Sequence, residues 1–351
     1  MKKMRSVCYF GMYTSVFPRT RIYSAGLRVH DIDVLECRDD SPGFMKYWHL
    51  WQKHRNIRNS YDVLIIGYLE HILVPFARII SSKPILVDML GSLADAEFHS
   101  HDSGRWRMVK NRLIDWLAIT FADVVLLESE AQRSFFIERF GDRDKFKILY
   151  TGVDESVLCC AVESKAKKNL VLFRGRLTPE SGIFHILKAA KLLKERLDIS
   201  FRIIGTHYRL AEPVRNMIHE FNLTNVEFIN EYLSDEMLRD KMCEAKVALG
   251  QFESNPRLDR TIPHKAFEAM YMGLPLITGR SPAVGELLVD GESCLFVERA
   301  DPADLARKIT TIIDNPEFGM KLANRARAAY DQKCSNEIIV TRLLAILSEH
   351  L

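Results

Sequence analysis

The run Ile262-Pro263-His264-Lys265-Ala266-Phe267-Glu268-Ala269-Met270-Tyr271-Met272-Gly273-Leu274-Pro275-Leu276-Ile277-Thr278 joins a short helix directly to an apolar strand. Lys265 and Glu268 stand three residues apart, so a helix sets a cation and a carboxylate on one face, where they can address one ligand together. Pro263 suits the first turn, where a missing N–H costs nothing. Gly273 suits the left-handed position past the last turn, and Leu274 to Thr278 reads as a buried parallel strand. A helix start that offers free N–H groups, a lysine and a carboxylate is a cradle for a phosphorylated ligand with hydroxyls.

Outward from this run the chain alternates short Val/Ile/Leu strands with amphipathic helices, the pattern of doubly wound parallel sheets. In the first half the expected strands are Ser6 to Phe10, Ile32 to Cys37, Asp62 to Ile66, Pro84 to Asp88, Asp123 to Leu127 and Phe146 to Tyr150. Helical patterns fall between them, at Arg21 to Val29, Phe44 to Ile57, Glu70 to Ile80, Trp106 to Phe121 and Glu130 to Phe140. The alternation stalls at the Lys-rich stretch 159–168, read as a linker, and then restarts. Its second series is strand Leu170 to Phe173, helix Phe184 to Glu195, strand Ser200 to Ile204, helix Ala211 to Phe221, strand Val226 to Ile229, helix Asp235 to Glu244 and strand Ala248 to Gln251. The expected fold is α/β: two Rossmann-like domains, 1–158 and 169–335, facing across a cleft, with ligands at the C-terminal strand ends.

Composition fits. A chain of 351 residues exceeds what one core usually serves, so two domains are the default. No apolar run approaches a membrane span, and Val7 to Phe10 after the basic N-terminus reads as a first strand rather than a signal peptide. A net charge of +3 is too slight to argue for nucleic acid. Seven scattered cysteines without paired metal-ligand spacing read as reduced thiols of a cytoplasmic protein. His99-x-His101 lacks a third metal ligand at convincing spacing, so no metal site is expected.

Beyond the opening run come Glu286, Asp290-Gly291 and Asp301-Pro302-Ala303-Asp304-Leu305-Ala306. With Phe267 to Met270 and Gly273 to Ile277, this order resembles the retaining, sugar-nucleotide-dependent glycosyltransferases of the GT-B fold (group 1, family 4-like). The resemblance implies a nucleotide diphosphate-sugar donor, no cofactor and a saccharide or lipid-linked acceptor. It also implies a last helix (336–351) packed back on the first domain, while the cysteines and two basic helices suggest a cytoplasmic place at the inner membrane face. It gives Glu268 the hydroxyls of a ribose; the residues alone also allow a helix-face pair with Lys265. Lys265 reads equally as a cation for diphosphate or as a solvated lysine.

Gly175-Arg176-Leu177 ends a strand, where glycine lets backbone approach phosphate and an arginine fork can bind it. A salt bridge from Arg176 to Glu180 is the bland alternative. Gly205 occupies a loop that lies near the nucleotide in the family. The chain departs from that family at three places. Ser181 stands where a second phosphate-binding lysine is usual, and Arg260 stands where a glutamate eight positions before Glu268 is usual. Glu286 follows Pro282-Ala283 where paired glycines are usual, and belongs to the turn expected at the diphosphate or the sugar.

On the acceptor side the expected residues are Tyr13, Arg19 and Arg21 after the first strand. Asp95 is expected to orient or deprotonate the acceptor hydroxyl, and His71 is a second candidate. Two basic, Trp-bearing helices, with Trp48 and Trp51 in one and Trp106 in the other, suit peripheral contact with anionic lipid or plain solvated faces. A sugar-nucleotide epimerase and a non-catalytic nucleotide-sugar-binding scaffold remain as rival readings. A nicotinamide oxidoreductase lacks the Gly-x-Gly-x-x-Gly run it would need.

Overall fold

Strands buried on both faces carry no polar alternation, and Val7, Cys8, Tyr9 and Phe10 are all buried in β1 (Ser6–Gly11). The computed structural model describes residues 4–12, 17–98, 104–158, 169–206 and 209–349. Tyr13, His99, His101 and the expected linker 159–168 lie outside the described residues. The chain forms two units, one of Met1–Thr151 with Asn336–Leu351, the other Gly152–Ser335.

The first unit continues through α1 (Pro18–Val29), β2 (Asp33–Arg38), α2 (Met45–Ile57), β3 (Val63–Ile66), α3 (Val74–Ile80) and β4 (Ile85–Leu90). Then come α4 (Leu93–Phe98), α5 (Arg105–Phe121), β5 (Val124–Leu127), α6 (Glu130–Phe140) and β6 (Phe146–Ile148). The strands are parallel, in the order β2-β1-β3-β4-β5-β6. Leu50, Val74, Ala77, Ala118, Ile119 and Phe136 place α2, α3, α5 and α6 on one face of this sheet. Ile22, Leu27, Ile339 and Leu343 place α1 and the last helix on the other.

The second unit runs α7 (Glu155–Leu158), β7 (Leu170–Arg174), α8 (Ile183–Leu192), β8 (Ser200–Ile204), α9 (Ala211–Glu220), β9 (Val226–Ile229), α10 (Asp235–Cys243) and β10 (Val247–Leu249). It ends with α11 (His264–Tyr271), β11 (Leu276–Gly279), α12 (Pro282–Gly285), β12 (Leu295–Val297), α13 (Pro302–Asp314) and α14 (Pro316–Lys333). Its parallel order is β12-β11-β10-β7-β8-β9. The motif Asp301-Pro302 starts α13 because the Asp301 carboxylate accepts from the amides of Ala303 and Asp304, at 2.9 and 3.0 Å. The chain then returns to the first unit as α15 (Asn336–Ser348), packed along α1.

Each sheet reverses its winding once, between β1 and β3 and between β7 and β10. The C-terminal ends of those strands are where doubly wound sheets hold ligands. One expectation about the cysteines is corrected. Cys8, Cys37, Cys294 and Cys334 are buried and form no disulfide, but Cys243 at the end of α10 is disulfide-bonded, a pairing that spacing along the chain does not reveal.

Candidate functional site

The strand β7 ends in a cation, not in the apolar residue expected there. Arg174 Nη1 lies 2.6 Å from Glu268 Oε1 on α11, and His264 Nδ1 lies 3.0 Å from the same oxygen. The Glu268 side chain is only 2% exposed. Burial works against its ionisation, yet Arg174, His264 and Lys265 outweigh it and hold the carboxyl at about 2. Its other oxygen, Oε2, is buried and accepts no hydrogen bond from the described residues. A buried carboxylate oxygen without a donor is costly and rare, and it is the natural seat for a ligand hydroxyl. The bland alternative for Glu268, a pair with Lys265 alone, is therefore replaced by a pair with Arg174 and His264.

Lys265 turns the other way. Its Nζ lies 3.8 Å from the centroid of the Phe173 ring. Desolvation first, then Arg174, lower its pKa to about 7 against the pull of Glu268. Such an ammonium binds its proton weakly until an anion arrives. Gly175, next to Arg174, has φ +145°, and a Cβ there would sit 3.1 Å from Lys265 Cε. A Cβ on Gly205 would meet the Gly175 carbonyl oxygen at 2.2 Å, so the two glycine loops after β7 and β8 lie against each other. Only glycine fits both constraints.

Arg176 is exposed, and its side chain has no partner among the described residues. The alternative bridge to Glu180 is not formed; Glu180 lies 3.9 Å from Arg257 instead. Ser181 is buried and donates to the Thr178 carbonyl at 2.6 Å, so it adds no charge where the family has lysine. Arg260 ends the 3-10 turn Pro256–Asp259. The nearest acids are engaged elsewhere, Asp259 with Arg299 at 2.8 Å and Glu253 with His185 at 3.4 Å. Glu286 follows α12, and its carbonyl accepts from Lys333 Nζ at 2.8 Å. Arg174, Lys265 and Glu268 are thus brought together beside Gly175 and Gly205, with Arg176 next in sequence. Arg174 was missed because it reads as the last residue of a strand, and its partner lies 94 positions on.

In the first unit two expectations are corrected. The helix α1 starts at Pro18, which puts Arg19 in its first turn and fully buried. There Arg19 grips both oxygens of Asp88 at 2.8 Å and also donates to the Leu149 carbonyl at 2.9 Å. It clamps the sheet and is not available to an anionic acceptor. His71 is also fully buried, with Nδ1 3.1 Å from Asp115 Oδ1, so it cannot touch an acceptor in this arrangement. Asp115 is held in turn by Ser92 Oγ and the Leu93 and Ala94 amides. Arg21 is partly buried on α1, and Asp95 sits in the first turn of α4.

A residue outside the expected set stands out at the β1/β3 reversal. Glu70 is 5% exposed, its Oε2 accepts from the Met12 amide at 2.9 Å, and burial raises its carboxyl to about 7. Among the described residues no group of three or more His, Cys, Asp or Glu is placed to hold a metal ion. A surface hollow of about 600 Å³ between α8 and α13 gathers none of the residues above.

Residues 161–329 match the family described as glycosyl transferases group 1. An uncharacterized glycosyltransferase of Methanocaldococcus jannaschii, MJ1178, is 24% identical over 69% of the chain and 64% of its own length. The MMP alpha-(1->4)-mannosyltransferase of Mycolicibacterium hassiacum is 24% identical over 63% of the chain and 53% of its own length. The chain therefore spans between half and two thirds of these curated relatives. Among solved structures, Anabaena HepE in complex with UDP and glucose superposes with a TM-score of 0.78 at 18% identity, covering 99% of this chain and 100% of that one. The chain accordingly has the GT-B fold, and residues 161–329 are similar to the glycosyl transferases of group 1.

Proposed function

We propose that the chain transfers a sugar from a nucleotide diphosphate-sugar to a hydroxyl of a saccharide or lipid-linked saccharide, with retained anomeric configuration and without a bound metal. The observation that carries this reading is the half-satisfied Glu268: one oxygen fixed by Arg174 and His264, the other buried without a donor. Such a carboxylate accepts from ribose hydroxyls. Arg176 and Lys265 neutralise the diphosphate, and the backbone at Gly175 and Gly205 approaches it. Glu286 and the amides around α12 belong to the sugar side, with Arg260 in place of the usual acid. HepE, solved with UDP and glucose, supports a uridine nucleotide as the first donor to test.

In the transfer the bond from the anomeric carbon to the diphosphate oxygen breaks, and its electron pair leaves with the phosphate. The acceptor oxygen forms the new bond to that carbon, and its proton passes to the departing phosphate oxygen. Cations fixed in advance around the diphosphate stabilise the charge that develops there. Asp95 and Arg21 remain the acceptor-side candidates, in polysaccharide or glycolipid assembly at the cytoplasmic membrane face. Arg260 and the engaged Asp259 and Glu253 are what favours a second reading, a binding scaffold without transfer.

A panel of sugar nucleotides, with and without saccharide acceptors and with EDTA present, decides between them. Release of nucleoside diphosphate with a product of unchanged anomeric coupling constant is expected. Donor binding without transfer to any acceptor would leave the scaffold.

A further inference from the structure

A helix that packs one stripe on a sheet ordinarily shows water a polar one. The helix α5 does not. It buries Asp115, Ala118 and Ile119, and on its outer side Trp106, Val109, Leu113 and Trp116 are 87%, 58%, 55% and 48% exposed. Their spacing of three, four and three residues makes one continuous stripe. Along the same sheet face, α2 displays Met45 and Trp48, the latter tilted against Trp51 with ring centroids 5.0 Å apart. Between them α3 packs along α5 and shows Ile79, while its Phe76 meets Tyr47 of α2 edge-on at 5.2 Å. On the opposite face, α1 and α15 expose only Val29 among large apolar side chains of the described residues.

The charges on this face are mostly positive. Between them α2 and α5 carry Lys46, Lys53, Arg55, Arg105, Arg107, Lys110 and Arg112; Lys53 pairs with Asp39 and Arg107 with Glu97, and the helices' own acid, Asp115, is fully buried. The whole chain is only +3, so these two helices hold more positive charge than the protein's net. Pairing this face with a second copy of itself would set cations against cations. An anionic bilayer complements it, because indole rings seat at the headgroup level while lysine and arginine reach phosphate.

We infer that the α2–α3–α5 face of the first unit docks on a membrane surface rich in anionic phospholipid. This deepens the membrane part of the proposed function, on which it rests, but needs no sugar transfer. The test is co-sedimentation of the full chain with phosphatidylcholine vesicles and with vesicles rich in phosphatidylglycerol. Partition into the anionic vesicles alone is expected, weakening as salt rises, with a blue shift of tryptophan emission. The pair Lys110→Glu/Arg112→Glu should weaken it at least about tenfold. The pair Trp106→Ser/Trp116→Ser should abolish the blue shift of those rings, and both double variants should keep the wild-type Tm and UDP affinity. Equal binding to neutral vesicles, no binding to either, or a concentration-dependent dimer lost in Trp106→Ser/Trp116→Ser would overturn the inference. Loss of UDP binding in the wild type would instead strike the donor site and leave this face untouched.

Discussion

Arg174 and Glu268 meet at 2.6 Å across 94 positions of sequence, and that contact satisfies one oxygen of a buried carboxylate while the other has no donor. Arg174→Met would leave the charge with His264 and Lys265 alone. A loss of about 2–3 kcal/mol in unfolding free energy is expected, below the full cost of orphaning a wholly buried ion because Arg174 is 31% exposed. Urea denaturation checks it, and an unchanged midpoint would mean His264 suffices.

Lys265 makes donor binding pH-linked. Its folded pKa of about 7 lies below the ordinary lysine value, so between about pH 7 and 10.5 the unfolded chain holds the proton that the folded one sheds. This contribution to stability therefore rises with pH across that window. A bound diphosphate favours the ammonium, so UDP binding at pH 8 should take up a proton. Calorimetry in two buffers of different ionisation heat reads that uptake, and Lys265→Met should abolish it.

The sign is opposite at Glu70. Burial raises its carboxyl to about 7, so its contribution is fully present below the unfolded value near 4.5 and is lost as pH rises through 7. Glu70→Gln keeps an acceptor for the Met12 amide and cannot ionise. It should gain on the wild type by up to ~3 kcal/mol between pH 4.5 and pH 8, measured by urea unfolding at both. Parallel pH profiles would show that Glu70 is better solvated than its 5% exposure indicates.

Arg19 and Asp88 are a buried pair in the first unit, so Arg19→Met should cost about 3–5 kcal/mol. UDP affinity of the protein that remains folded should be unchanged. Thermal unfolding and a UDP titration together separate this clamp from a ligand contact.

Most of the fold was legible because apolar period and length settle buried strands and amphipathic helices. The helix α6 and the strands β8 and β9 have the expected spans. What escaped has physical reasons. The helix α14 includes Gly319, which lets it approach Ile312 of the preceding helix, and glycine reads as a breaker. In the site, Lys265 and Glu268 were legible because helix spacing alone brings them close. Arg174 and Glu70 were not, since each acts through a residue dozens of positions away that only the sheet order brings near. Arg19 misled for the same reason: its carboxylate partner lies 69 positions on.

The most direct measurement is a calorimetric titration of UDP into the wild type, Arg176→Ala and Glu268→Gln. Saturable binding is expected in the wild type, weaker in each variant by roughly 1.5–3 kcal/mol, with the Tm of Arg176→Ala unchanged. Wild-type affinity in both variants would contradict a diphosphate and ribose held at Arg176 and Glu268.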